Sequence, residues 1–142
     1  MNTAVDTNVF VSLLTGPMEE ARAARHSLRK AEERGPLVVC APVYAELSAA
    51  PGRGPDEVDV FLDLARVAVD WDLSEDTWRT AALAFKGYAE RRRAQPGGSG
   101  PRRILADFVI GAHALHTASA LLTLDHGLYR VAFPDLAVLV PE

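Results

Sequence analysis

The chain is poor in cysteine, in lysine and in long apolar runs. Cys40 is its single cysteine, which excludes an internal disulfide, and the setting LVVCAP reads as a small buried residue. Only Lys30 and Lys86 are lysine, so thirteen of the fifteen basic residues are arginine. That bias can follow genome composition, and only its clustering carries weight. A membrane span needs about 18 or more uninterrupted apolar residues. The best candidate, FVIGAHALHTASALL, is shorter and is broken by His113, His116, Thr117 and Ser119. Met1-Asn2-Thr3 leads directly into apolar residues with no basic, cleavable leader. These absences point to a cytoplasmic protein without a membrane role. The formal charge of −4 argues against non-specific coating of nucleic acid, although local fields matter more than the sum.

What is present is enough for one folded domain over residues 1–142, since 49% of the chain is hydrophobic. Short β-branched and aliphatic runs alternate with helical patterns. Thr3–Val5 reads as a strand and TNVFVSLL as a short helix. MEEARAARHSLRKAEER, after Pro17, carries acids early and bases late and stops at Gly35. LVVC (37–40) is a second strand, and Pro42 starts the helix VYAELSAA. PGRGP (51–55) is a break before the helix DEVDVFLDLARV, with a third strand at Val67–Val69. Ser74 caps a long helix to Arg93, AQPGGSGP (94–101) is a loop, and RILADFVIGAHALH is the next helix. ALLTL (120–124), a turn at Asp125-His126-Gly127, a short helix and AVLV (137–140) complete the pattern. Such alternation predicts an α/β domain with a parallel sheet.

That assignment decides where the acids go. Asp6 lies just past the first strand and Asp125 just past ALLTL, both at the C-terminal edge of the sheet. Glu46 lies early in the helix after the second strand, and Asp107 near the start of a helix running back from the same edge. In open α/β sheets this edge, where strand order reverses, is the usual ligand site. Each acid has a bland reading. Asp6 could cap its helix, Glu46 could sit on a solvated face, Asp107 could favour a helix dipole, and Asp125 could be a turn residue. Together they leave like charges converging with no lysine or arginine in the motifs, which calls for a cation. Oxygen-only ligands favour Mg²⁺ or Mn²⁺. The natural chemistry is phosphodiester hydrolysis. An aspartyl phosphotransferase would want a second acid where Asn8 stands, and no P-loop lysine motif is present.

AVDTNVFVSLL, VYAELSAA, ILADFVIGAHA and LLTLDHGLYR resemble, in order, the four motifs of PIN-domain nucleases, most closely the VapC-type toxin ribonucleases. The resemblance spans nearly the whole chain. It implies a three-layer sandwich with a five-stranded parallel sheet, order 3-2-1-4-5, flanked by helices. It implies that Asp6, Glu46, Asp107 and Asp125 form the catalytic site, with Asp6, Asp107 and Asp125 as metal ligands and Thr7, Asn8 and Thr123 in support. Mg²⁺ or Mn²⁺ would be the cofactor, RNA the substrate, and a VapB-type antitoxin and a second copy of the chain the partners. The chain departs from the pattern at Leu128, where many relatives carry a further acid, which favours one metal over two.

Arg91, Arg92 and Arg93, with Arg102 and Arg103, bracket the glycine loop before Asp107, where they can grip phosphates of a loop in tRNA or ribosomal RNA. Arg22, Arg25 and Arg29 read as a solvated helix face. His113 and His116 have a zinc-compatible spacing without a third ligand, so helix packing is the better reading. Trp71 and Trp78 read as core or interface residues. Two alternatives stay open: the same fold acting in RNA maturation or DNA processing, and a non-catalytic RNA-binding module.

Overall fold

Aliphatic runs form the five strands β1 (Thr3–Val5), β2 (Leu37–Cys40), β3 (Val67–Asp70), β4 (Ala120–Leu122) and β5 (Val138–Leu139) in a computed structural model. It describes residues 1–98 and 103–142. Between the strands run α1 (Thr7–Thr15), α2 (Met18–Arg34), α3 (Ala41–Ser48), α4 (Pro55–Leu64), α5 (Glu75–Ala94), α6 (Leu105–Thr117) and α7 (His126–Ala132). The sheet is parallel throughout, in the order β3-β2-β1-β4-β5 expected from the motifs. Every residue of β1, β2 and β4 is buried, as strands covered by helices on both faces must be. The short edge strands β3 and β5 are partly open.

Local chemistry sets most helix ends. Ser74 caps α5 by accepting from the Thr77 N–H at 3.1 Å, and Arg91–Arg93 close its last turn. Gly54 and Glu57 form the start of α4, with Glu57 accepting from the Gly54 N–H at 3.0 Å. Sequence reasoning ran this helix on through Val67, but it ends at Leu64. Arg66 turns left-handed, at φ 58°, to deliver the chain into β3. Gly35, at φ 155°, passes so close to the Met1 carbonyl that any side chain there would collide with it.

The core is filled by Phe10, Val43, Leu47, Phe108, Ile110, Leu121 and Leu122. In α6, Gly111 lets the helix lie directly against the ring of Phe133. The two histidines of this helix tie it to its neighbours, the packing reading preferred in the absence of a third zinc ligand. His113, 1% exposed, meets Asp70 of β3 at 2.8 Å, and His116 meets Thr80 of α5 at 2.7 Å. Trp71 and Trp78 are exposed, so neither belongs to the core of the chain. Cys40 is buried, and desolvation pushes its thiol up to about 12.

Candidate active site

The strand order reverses between β1 and β4, and both end beside the same crevice. Asp6 follows β1 and Asp125 lies three residues beyond Leu122, the last residue of β4. Asp107 lies in the first turn of α6, and Glu46 projects from α3. All four acids line one open cleft of about 510 Å³. Asp6 and Asp125 occupy helix N-cap positions, yet neither side chain makes a capping hydrogen bond. The capping explanation therefore fails for both: their carboxylates are used elsewhere.

Small polar side chains hold the acids. Thr123, fully buried, donates its hydroxyl to Asp6 Oδ2 at 2.8 Å and accepts the Asp125 N–H at 3.0 Å. Asn8 donates to the same Asp6 oxygen at 3.3 Å, and its own Oδ1 accepts the Leu124 N–H at 3.1 Å. Thr7 donates to Glu46 Oε1 at 2.7 Å, tying α1 to α3. Thr7, Asn8 and Thr123 thus sit where an orienting role requires. The β4 strand stops at Leu122 rather than Leu124: the Thr123 N–H still pairs with the Leu139 carbonyl, but the Leu124 N–H goes to the Asn8 side chain instead.

The electrostatics carry the mark of crowded carboxylates. Asp6 is only 5% exposed, and burial pushes its carboxyl from 3.8 up to about 6 against the lowering effect of the Thr123 and Tyr129 hydroxyls. Asp107 is raised too, first by burial; nearby Arg103 pulls it down, and Glu46 and Asp125 push it up. Sequence reasoning saw no cation in the motifs. The fold supplies one: Arg103 reaches Asp125 Oδ2 through its guanidinium.

Tyr129 was missed altogether. It is 1% exposed and lies in α7, one turn beyond Asp125. Burial first, then the charges of Asp6, Asp107 and Asp125, pushes its hydroxyl far up. Although it faces Asp6, that hydroxyl makes no hydrogen bond of ordinary geometry among the described residues. A tyrosine on the buried face of a short helix directly after an acid was the only available signal.

The arginines divide. Arg91, Arg92 and Arg103 line a second groove of about 640 Å³ together with Tyr88, Gln95 and Leu128. Arg103 also lines the acid cleft, so the two cavities meet at its side chain. Arg93 is exposed and lies outside the groove lining, and Arg102 lies outside the described residues.

Among the described residues, no three acidic, histidine or cysteine side chains stand close enough together to cage an ion. Asp125 is turned towards Arg103 instead. The donor chemistry still suits a hard divalent cation: carboxylate and hydroxyl oxygens, no thiolate and no imidazole in the cleft lining.

The PIN domain family model matches residues 3–134. No curated protein matches the chain. Among solved structures, the fold is similar to a chain of VapBC2 from Rickettsia felis bound to a DNA fragment from their promoter, at TM-score 0.68 and 19% identity over 100% of both chains. A toxin–antitoxin complex from Klebsiella pneumoniae gives TM-score 0.65 and 20% identity over 99% of this chain and 98% of that one. VapBC-1 from nontypeable Haemophilus influenzae gives 0.63 and 21% over the same shares.

Proposed function

This chain belongs to the PIN-domain family, and from that premise we propose that it is a metal-dependent endoribonuclease acting as the toxin of a toxin–antitoxin pair. One observation carries the reading. Asp6, Glu46, Asp107 and Asp125 come from separate elements into one cleft, and that cleft shares Arg103 with an arginine-lined groove. Carboxylates crowded in this way need a cation, and a cation beside a phosphate-gripping groove suits phosphodiester cleavage.

Asp6, Asp107 and Asp125 would hold Mg²⁺ or Mn²⁺, with Glu46 acting through water. Bound there, the ion would supply Lewis-acid chemistry, lowering the pKa of water and offsetting charge on the departing oxygen. The chain's own residues do the rest. Thr123 and Asn8 fix the Asp6 carboxylate through one oxygen, leaving the other free to ligate. Thr7 holds Glu46 at the mouth. Burial of Asp6 keeps bulk water from the floor of the cleft, and the exposed Val11 and Leu124 form an apolar rim. Arg91, Arg92 and Arg103 would grip the phosphates of a single-stranded RNA loop, such as one in tRNA or ribosomal RNA, and carry it to the acids.

Structures of similar fold are toxin–antitoxin complexes, which supports a VapB-type antitoxin as partner; a homodimer and a cytoplasmic site of action complete the proposal. The test is cleavage of total tRNA and ribosomal RNA by antitoxin-free protein in Mg²⁺ or Mn²⁺, with ends mapped by sequencing. Discrete cuts that vanish with EDTA and in folded Asp107→Asn protein are expected. Cuts surviving in Asp107→Asn would refute the site. Cleavage of DNA alone would favour the processing alternative, and RNA binding without any cleavage the non-catalytic one.

A further inference from the structure

We infer that Arg103 is a two-position residue: it holds Asp125 while the cleft lacks a divalent cation, and exchanges that carboxylate for a substrate phosphate once one enters. The inference rests on the acid cleft being a divalent-metal site, and it assigns the cleft an internal counter-ion that metal must displace.

The position of Arg103 makes the exchange possible. It immediately precedes Ile104, the N-cap of α6, and its long side chain can swing about that point. Among the described residues it is the one side chain lining both the acid cleft and the arginine groove, so a short rotation moves its guanidinium from one to the other. At present it pairs with Asp125, at 40% and 28% side-chain exposure for the two partners. An ion pair this open is worth at most roughly fivefold in an equilibrium constant, so it is readily broken. The planar guanidinium that meets a carboxylate suits a phosphate equally well.

The acids favour the exchange. While Asp125 is committed to Arg103, no three ligating side chains among the described residues converge. Arg103 also lies close enough to Asp107 to favour its charged form. A dication among these carboxylates would repel the guanidinium across Asp125, whose Oδ2 the arginine holds. Released, Arg103 has Arg91 and Arg92 as neighbours along the groove wall, which only an anion would stabilise.

The test measures metal and substrate separately. Free, full-length protein is titrated with MnCl₂ in a calorimeter, as wild type, Arg103→Ala, Arg103→Gln and Arg91→Ala, with folding checked by circular dichroism. Removing the competitor should tighten Mn²⁺ binding about three- to fivefold in both Arg103 variants. Arg91→Ala, in the groove but outside the acid cleft, should leave it unchanged. Cleavage of RNA at saturating Mn²⁺ should move the other way, with kcat/KM about tenfold lower in the Arg103 variants, chiefly through KM. Unchanged or weaker Mn²⁺ binding in folded Arg103 variants overturns the exchange and leaves the metal site standing. Tighter Mn²⁺ with unaltered cleavage overturns the transfer to phosphate. Failure of every protein to bind Mn²⁺ overturns the metal-site reading and the exchange with it.

Discussion

Replacing Asp6 by asparagine in metal-free protein is expected to stabilise the fold while removing activity. Burial lifts the Asp6 carboxyl from 3.8 to about 6. Below 3.8 the group is neutral in both folded and unfolded chains and costs nothing. Between 3.8 and about 6 the folded chain keeps a proton that the unfolded chain has shed, so stability falls as pH rises. Above that window the cost is complete, about 3 kcal/mol at neutral pH. Asparagine has the same shape without the charge. Thr123 and Asn8 both donate to one oxygen, Oδ2, so a single amide oxygen can keep both bonds. The extra strength those bonds draw from the charge is already contained in the value of about 6, so the net gain is about 3 kcal/mol, or a rise in Tm of roughly 6–12 °C for a chain of this size. Thermal and urea unfolding in EDTA at about pH 7.5 and about pH 4.5 would measure it, with the gain shrinking towards zero at the acid value. Added Mn²⁺ should narrow the gap at neutral pH by stabilising only the wild type. A loss of stability at neutral pH, or an equal gain at both pH values, would refute the argument that Asp6 is held charged against the preference of the fold.

Thr123→Val keeps shape but removes the hydroxyl that serves Asp6 and the Asp125 N–H; urea unfolding should show a loss of about 1–3 kcal/mol. Because that hydroxyl lowers the Asp6 carboxyl, the acid limb of the pH–rate profile should move to higher pH in the same variant. Gly111→Ala would drive a methyl into the Phe133 ring, which is buried and cannot step aside. It should cost about 1–3 kcal/mol by thermal unfolding, and an unchanged Tm would show that α6 can shift outwards.

The placement of the acids was legible because it follows from topology. Once strands alternate with helices, residues just beyond strand ends share an edge, and Asp6 and Asp125 needed nothing more. Contacts between side chains distant in sequence were not legible. Nothing in RRILAD says that Arg103 turns to Asp125 rather than to solvent, and nothing in LDHGLYR says that Tyr129 points at Asp6. The end of α4 escaped for a different reason. An arginine in left-handed conformation leaves no trace in composition, unlike the glycine usually found there. The tryptophans were misplaced in part because an aromatic side chain is apolar enough for a core and polar enough for a surface.

The central strand of the sheet has a consequence for the order in which the molecule comes into being. β1 lies between β2 and β4, and Thr123 lies 117 residues beyond the Asp6 it supports. A ribosome therefore makes one wall of the cleft 117 residues before the other. A nascent chain can pair β1 with β2 as soon as Leu37–Cys40 emerges, but one flank of β1 stays bare until Ala120–Leu122 follows. Until then Asp6 has neither Thr123 nor Asp125 beside it, and the acid cleft does not exist. Assembly of the chemistry waits on the β4 segment by topology alone, however early Asp6 itself is made.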